Sequence, residues 1–304
     1  MRTDIAVRIG GLEMKNPVTV ASGTFGYGPE YAGLVDLNRL GAITVKGISP
    51  QPVQGNPTPR IAEVPCGMIN AIGLQNPGVE AFCRDYIPFL RNYDLPVIVN
   101  IWGRTVEDYI EVAQRFESEP DVDALEINVS CPNIKEGSKA FGTQIDSFKR
   151  VVEAVRSASK KTIIPKLAPH VPSIVDYAQA ALDCGADAIS MINTIPAMAI
   201  DLSNRTPVLG NITGGLSGPA IHPVAVKLVW EAASAVDLPI IAMGGISSTE
   251  DALDFIVAGA TAVAVGTENF ANPAVTVEIV EGIQKYLDAN GMTKIDELIG
   301  SLKI

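Results

Sequence analysis

At 304 residues, with 47% hydrophobic and 19% charged residues, the chain can bury one large core and falls outside the disordered class. A formal net charge of -11 argues against a nucleic-acid partner, because phosphate backbones are gripped through Lys and Arg. Four widely spaced cysteines without a CxxC pair, and only two histidines, argue against a zinc or iron–sulfur site built by this chain, so no metal is expected.

Residues 1–11 carry Arg2, Asp4 and Arg8 and lack the apolar stretch of a signal peptide. No apolar run approaches the roughly 18 residues of a spanning helix, so a cytoplasmic protein without membrane contact is expected. In chain order, Val7–Ile9 and Leu12–Lys15 flank Gly10-Gly11 as a β-hairpin. Strand patterns follow at Val18–Ala21, Ala42–Val45, Val97–Ile101, Ala124–Ile127, Ile163–Lys166, Ala188–Ile192, Ile240–Met243 and Ala262–Val265. Met68–Ile69 is too short to count with them. Helical patterns lie at Glu30–Asn38, Val79–Arg91, Val106–Phe116, Ile145–Ser157, Ile174–Cys184, Pro223–Ala235, Thr249–Ala258 and Val275–Asn290.

Apolar strands alternating with helices predict parallel strands buried on both faces. Eight repeats, in a chain of the length that suits a (βα)8 TIM barrel of about 250 residues, predict a closed barrel forming a single domain over residues 1–304. Periodicity alone does not exclude an open doubly wound sheet. Gly185–Ile189 (GADAI) and Gly259–Val263 (GATAV) each read as a helix ending on glycine, a short loop and a strand. Three long insertions follow strands, at Ile48–Gln75, Ser130–Gln144 and Ile195–Pro219, and are predicted to be irregular loops that wall a site at the catalytic face.

Barrel active sites sit at the C-terminal ends of the strands. The residues at those exits are Ser22, Lys46, Asn100, Asn128, Lys166, Asn193, Gly244-Gly245 and Gly266-Thr267, each polar or glycine. The last two precede helical segments. Glycine lets a phosphate approach the backbone, and a helix N-terminus presents free N–H groups, so these loops are predicted to bind a phosphate. A phosphate site alone does not distinguish a flavin from a sugar phosphate. Cys131 lies three residues beyond a strand exit, in Asn128–Asn133, where donors and a nearby lysine can turn a thiol into a base. Cys83 and Cys184 fall within helical patterns and read as inert core thiols, while Cys66, in the first insertion, is left open.

Taken together, NVSCPN (Asn128–Asn133) followed by Phe141-Gly142, NAIGL (Asn70–Leu74) and the Gly244-Gly245 and Gly266-Thr267 pairs resemble the dihydroorotate dehydrogenase family, over nearly the whole chain. Asn193-Thr194, Ala199–Asp201 and GGLSGP (Gly214–Pro219), with a cysteine where the membrane-bound subclass has serine, are similar to the NAD-linked subclass. The resemblance implies one FMN held by Ser22, Lys46, Gly47, Asn100, Asn128, Lys166, Ile192, Gly218, Gly244, Gly245, Gly266 and Thr267. It implies dihydroorotate held by Lys46, Asn70, Ala71, Ile72, Gly73, Leu74, Asn128, Asn193 and Thr194, with Asn133 a further ligand. Cys131 would take the C5 proton while C6 delivers hydride to flavin N5, a step of pyrimidine biosynthesis. The resemblance also implies a homodimer of this chain inside a heterotetramer, two catalytic and two electron-transfer subunits, with FAD and a 2Fe–2S cluster only on the partner, which passes electrons to NAD. His170 and Ile195-Pro196 depart from the family pattern. The alternatives are another FMN barrel enzyme acting on a pyrimidine ring, the fumarate-linked class of the same enzyme, or a flavin-free barrel acting on a sugar phosphate.

Overall fold

The computed structural model describes residues 3–129 and 144–304. Its strands are β1 (Val7–Ile9), β2 (Leu12–Met14), β3 (Val18–Val20), β4 (Ile43–Ile48), β5 (Ile61–Val64), β6 (Gly67–Asn70), β7 (Val97–Ile101), β8 (Ala124–Asn128), β9 (Thr162–Leu167), β10 (Ile189–Met191), β11 (Ile195–Ala197), β12 (Ile200–Asp201), β13 (Thr206–Pro207), β14 (Gly214–Ser217), β15 (Ile240–Ala242) and β16 (Ala262–Val265). Its helices are α1 (Pro29–Ala32), α2 (Val79–Asp85), α3 (Ile87–Leu90), α4 (Val106–Glu117), α5 (Ile145–Ala158), α6 (Ile174–Asp183), α7 (His222–Ala233), α8 (Thr249–Val257), α9 (Glu268–Ala271) and α10 (Val275–Ala289).

Strands β3, β4, β7, β8, β9, β10, β15 and β16 form one parallel sheet in which each lies beside its successor in the chain. The last strand, β16, pairs back onto the first, Val263 opposite Val18. The Gly41 N–H donates to Val18 O at 2.9 Å and Thr19 Oγ1 to Ala42 O at 2.9 Å, joining β3 to the start of β4. The sheet therefore closes, and the fold is a (βα)8 TIM barrel rather than an open sheet. Its interior and the inward faces of its helices form one continuous apolar core.

Local sequence explains the elements. On α5, Phe148, Val151, Val152 and Val155 are fully buried at the i, i+3, i+4, i+7 spacing of a single helical face. Burial of each such side chain stabilises the fold by roughly 1.5–3 kcal/mol. Helix α4 starts with a capping box: Thr105 accepts the Asp108 N–H while Asp108 accepts the Thr105 N–H. Ser173 and Ser248 cap α6 and α8 one way, each hydroxyl accepting the N–H of the residue three positions on, Asp176 and Asp251. After α6, the Ala186 N–H reaches back to Ala181 O around Gly185 at φ +76°; after α8, Ala260 reaches Phe255 O around Gly259. Both glycine-ended turns close as the sequence predicts.

The hairpin β1–β2 pairs Val7 with Met14 and Ile9 with Leu12. Its turn abuts the N-terminal ends of β9 and β10, with the Gly11 N–H donating to Thr162 Oγ1 at 3.2 Å. It thus covers the bottom of the barrel, opposite the site.

Four expectations are corrected. The insertions at Ile48–Gln75 and Ile195–Pro219 are not irregular: they supply β5, β6, β11 and β14, a four-stranded antiparallel sheet in the order β11-β14-β6-β5. Ile69, Ala71 and Leu209 form its own small core. The pairing partners, such as Leu216 with Ile69, lie about 150 residues apart, which no local pattern signals. Met68–Ile69 is therefore a strand, but of this cap and not of the barrel. The pattern Glu30–Asn38 divides into α1 and a 3₁₀ turn at Leu37–Arg39, capped by Asp36. The pattern Val79–Arg91 divides at Tyr86, two residues before Pro88, whose missing N–H suits a helix start and not an interior. Finally, Lys46 lies inside β4, which runs on to Ile48 past an irregularity in its pairing with β7.

Candidate active site

A cavity of about 500 Å³ opens at the C-terminal ends of the barrel strands, beneath the four-stranded cap sheet. The barrel contributes Ser22 after β3, Lys46 and Gly47 within β4, Asn100 on β7, Asn128 at the end of β8 and Lys166 on β9. Ile192, Asn193 and Thr194 follow β10, Gly244 and Gly245 follow β15, and Gly266 and Thr267 follow β16. The cap contributes Asn70 from β6, the turn Ala71, Ile72, Gly73 and Leu74, and Gly218 after β14. All expected flavin and substrate residues within the described chain therefore face one space. Cys131 and Asn133, and the insertion from Ser130 through residue 143, lie outside the described residues.

The Asn70–Leu74 turn is built by its neighbours. Leu74 holds φ +57° and Gly73 φ +77°, and a side chain on Gly73 would strike Asn56. Asn56 Nδ2 donates to Ala71 O at 3.0 Å, and its N–H to Ile72 O at 3.0 Å. Asn76, buried at the foot of the turn, donates to Leu74 O at 2.9 Å and to Ser49 Oγ at 2.8 Å, and accepts from the Gly78 N–H. Neither Asn56 nor Asn76 stands out in the sequence, because each acts on a backbone that is near only after folding.

At the opposite end of the cavity, Gly244, Gly245 and Gly218 adopt φ +141°, +69° and +97°. Gly244 O faces His222 Nδ1 at 3.2 Å, and the Gly245 backbone packs against the first residue of α7. Among the described residues, no backbone carbonyl accepts the N–H of Gly245, Gly266 or Thr267. These donors remain for an anion. The predicted helix N-terminus contributes less than expected: Asp251 of α8 folds back to accept the Ser247 N–H and Oγ at 2.8 Å each, so the first turn is internally capped. Thr267 Oγ1 donates to Ser217 Oγ at 2.8 Å and ties the last barrel loop to the cap sheet.

The cavity floor is polar. Lys166, 5% exposed, donates to Ser22 Oγ at 3.3 Å and lies 3.5 Å from Glu126 Oε1. Asn100 Nδ2 donates to the same oxygen at 2.6 Å, and Ser190 Oγ to Glu126 Oε2 at 2.9 Å. The sequence does not mark Glu126: it is one carboxylate between Leu125 and Ile127 in the strand ALEIN, and the pattern cannot reveal its burial. Burial holds the Lys46 ammonium below the usual lysine value, with Glu30 opposing and Arg60 adding to the effect. His170 also lines the cavity, and burial lowers its basicity. Cys66 does not line it; the thiol is exposed at the β5–β6 turn.

The family model for dihydroorotate dehydrogenase matches residues 4–287. The chain belongs to the dihydroorotate dehydrogenase family. Within it, the chain is 53% identical to the catalytic subunit of dihydroorotate dehydrogenase B (NAD(+)) of Thermoanaerobacter pseudethanolicus over 301 residues, 99% of each chain. It is 52% identical to the protein of the same name from Geotalea uraniireducens, again over 99% of each. With the one from Trichlorobacter lovleyi it shares 54% over 303 residues, the full length of both. At that identity the dihydroorotate dehydrogenase family frame extends from the hairpin to α10 and takes in both cap insertions. Among the described residues, no helix is long and apolar enough to cross a membrane.

Proposed function

We propose that this chain oxidises dihydroorotate to orotate in pyrimidine biosynthesis, using FMN bound in the cavity at the barrel mouth. One observation carries the reading: a single cavity gathers two lysines, six asparagines and two glycine loops whose N–H groups no backbone carbonyl among the described residues accepts, from barrel strands and the cap. The relatives that match over full length are named for this activity.

The residues present fit an FMN. The N–H groups of Gly245, Gly266 and Thr267 suit its phosphate, and Lys166 on the floor suits the negative charge that a reduced flavin ring carries. Bound there, FMN supplies the acceptor for a hydride from C6 of the substrate ring. The chain does the rest. Asn70, Asn128 and Asn193 offer both donors and acceptors to the amide edges of a flat pyrimidine. Lys46 offsets its carboxylate. Cys131 takes the C5 proton, so that loss of one proton and one hydride leaves the C5–C6 double bond of orotate.

The name "catalytic subunit" borne by the relatives supports a partner for this chain. We assign to that partner the FAD and 2Fe–2S cluster that carry electrons to NAD, in a cytoplasmic assembly of two catalytic and two electron-transfer subunits around a catalytic homodimer. The decisive experiment is anaerobic mixing of the purified yellow protein with dihydroorotate. Bleaching of the flavin absorbance is expected, followed by no reoxidation with NAD or fumarate until the partner is added. A colourless protein, or a flavin that dihydroorotate leaves oxidised, would refute the reading. Reoxidation by fumarate alone would move the chain to the fumarate-linked class.

A further inference from the structure

Glu126 belongs neither to the cavity wall nor to the substrate set, yet it touches both sides of the cavity floor. Its side chain is 3% exposed, inside the barrel. It stands opposite Asn100 in the β7–β8 ladder, and Lys166 stands opposite Ser190 in the β9–β10 ladder. Oε1 receives Asn100 Nδ2 at 2.6 Å and lies 3.5 Å from Lys166 Nζ, while Oε2 receives Ser190 Oγ at 2.9 Å. Three strands thus converge on one carboxylate, and two of its three partners line the cavity.

Barrel interiors are ordinarily layered with branched apolar side chains. A buried carboxylate and ammonium must each give up water, and an apolar pair of similar volume often holds a fold as well or better. The polar layer beneath this cavity is therefore poorly explained by stability. We infer that Glu126 is a positioning residue of the redox site: it orients the Asn100 amide and offsets part of the Lys166 charge that faces the bound flavin, holding the flavin potential low enough to pass electrons on. This rests on the proposed flavin reading.

Two substitutions test it, with opposite expected signs. Glu126→Gln keeps the shape and an acceptor for Asn100 but removes the negative charge. Lys166 then stabilises the reduced flavin more strongly. The midpoint potential moves positive, with reduced FMN gaining roughly tenfold in affinity over oxidised FMN, the order expected of one unit charge in a partly screened interior. Ser190→Ala withdraws the hydroxyl that shares the carboxylate's charge, leaves more of that charge to Lys166, and moves the potential negative. In a Lys166→Met background, Glu126→Gln leaves the potential where Lys166→Met alone puts it. The measurements are dye-coupled reductive titrations of the FMN-loaded chain, with melting curves to confirm folding. If Glu126→Gln does not fold, Ser190→Ala carries the test. An unmoved potential in the folded variants, or a shift that survives in the Lys166→Met background, overturns the inference alone. A wild-type chain that takes up no FMN overturns the proposed function as well.

Discussion

Gly245 and Gly218 are packed backbone to backbone: a Cβ on Gly245 would lie 2.7 Å from the Gly218 carbonyl oxygen. The loop after the seventh barrel strand and the loop that leaves the cap sheet therefore lock together at the end of the cavity proposed to hold the phosphate. Gly266 is different, because among the described residues a Cβ there would meet only Ala21 Cβ, at 3.6 Å. Gly245→Ala is expected to destabilise the apoprotein by at least ~1–2 kcal/mol, from its φ of +69° and the clash. Gly266→Ala should melt within about 0.5 kcal/mol of wild type but bind FMN more weakly. Melting curves and fluorescence titration with FMN separate the two, and equal melting losses would contradict the distinction.

Lys166→Ala should both weaken flavin binding and destabilise the fold, because Glu126 is left buried without its cation. Truncating one partner of a buried pair costs about 3–5 kcal/mol. Part of that loss should return in Lys166→Ala/Glu126→Gln. Urea unfolding of the three apoproteins measures it; an additive double variant would show that the two groups do not interact.

Cys131→Ala should keep FMN and slow its anaerobic reduction by dihydroorotate by about 10²-fold or more. Stopped-flow absorbance gives the rate. Reduction at a near-normal rate would leave the assigned base without a role.

The lowered basicity of Lys46 predicts a pH dependence. In the proposed function the ammonium offsets the substrate carboxylate, and it is lost as pH rises through a value below that of an ordinary lysine. Orotate affinity should therefore be constant at neutral pH and decline on the alkaline side, earlier than for a solvent-exposed lysine. Lys46→Arg, charged throughout, should flatten that decline. Difference spectra of bound flavin between about pH 7 and pH 10 report the affinity.

Burial pushes the Cys83 and Cys184 thiols up to about 11, whereas Cys66 is exposed. At pH 8 only about one in a thousand of the first two is ionised. Iodoacetamide at that pH should label Cys66 while leaving Cys83 and Cys184 unmodified in the native protein, as read by peptide mass spectrometry. Native labelling of Cys184 at the rate of Cys66 would contradict its burial.

What the sequence determined by itself was whatever repeats locally. Alternating apolar strands and amphipathic helices, the GADAI and GATAV turns and the polar strand exits are all written in windows of about ten residues. That suffices for the eight strands, most helices and the barrel side of the cavity wall, since a barrel places every strand exit at one mouth. Only the tertiary structure decided that the sheet closes, through Gly41 against Val18 and Val263 beside Val18, because closure is a relation between the two ends of a periodic pattern. It alone assembled the cap from β5, β6, β11 and β14, and placed Glu126 beneath Asn100 and Lys166. A glutamate in a strand carries no local mark of burial, and its environment is made by side chains tens of residues away along the chain.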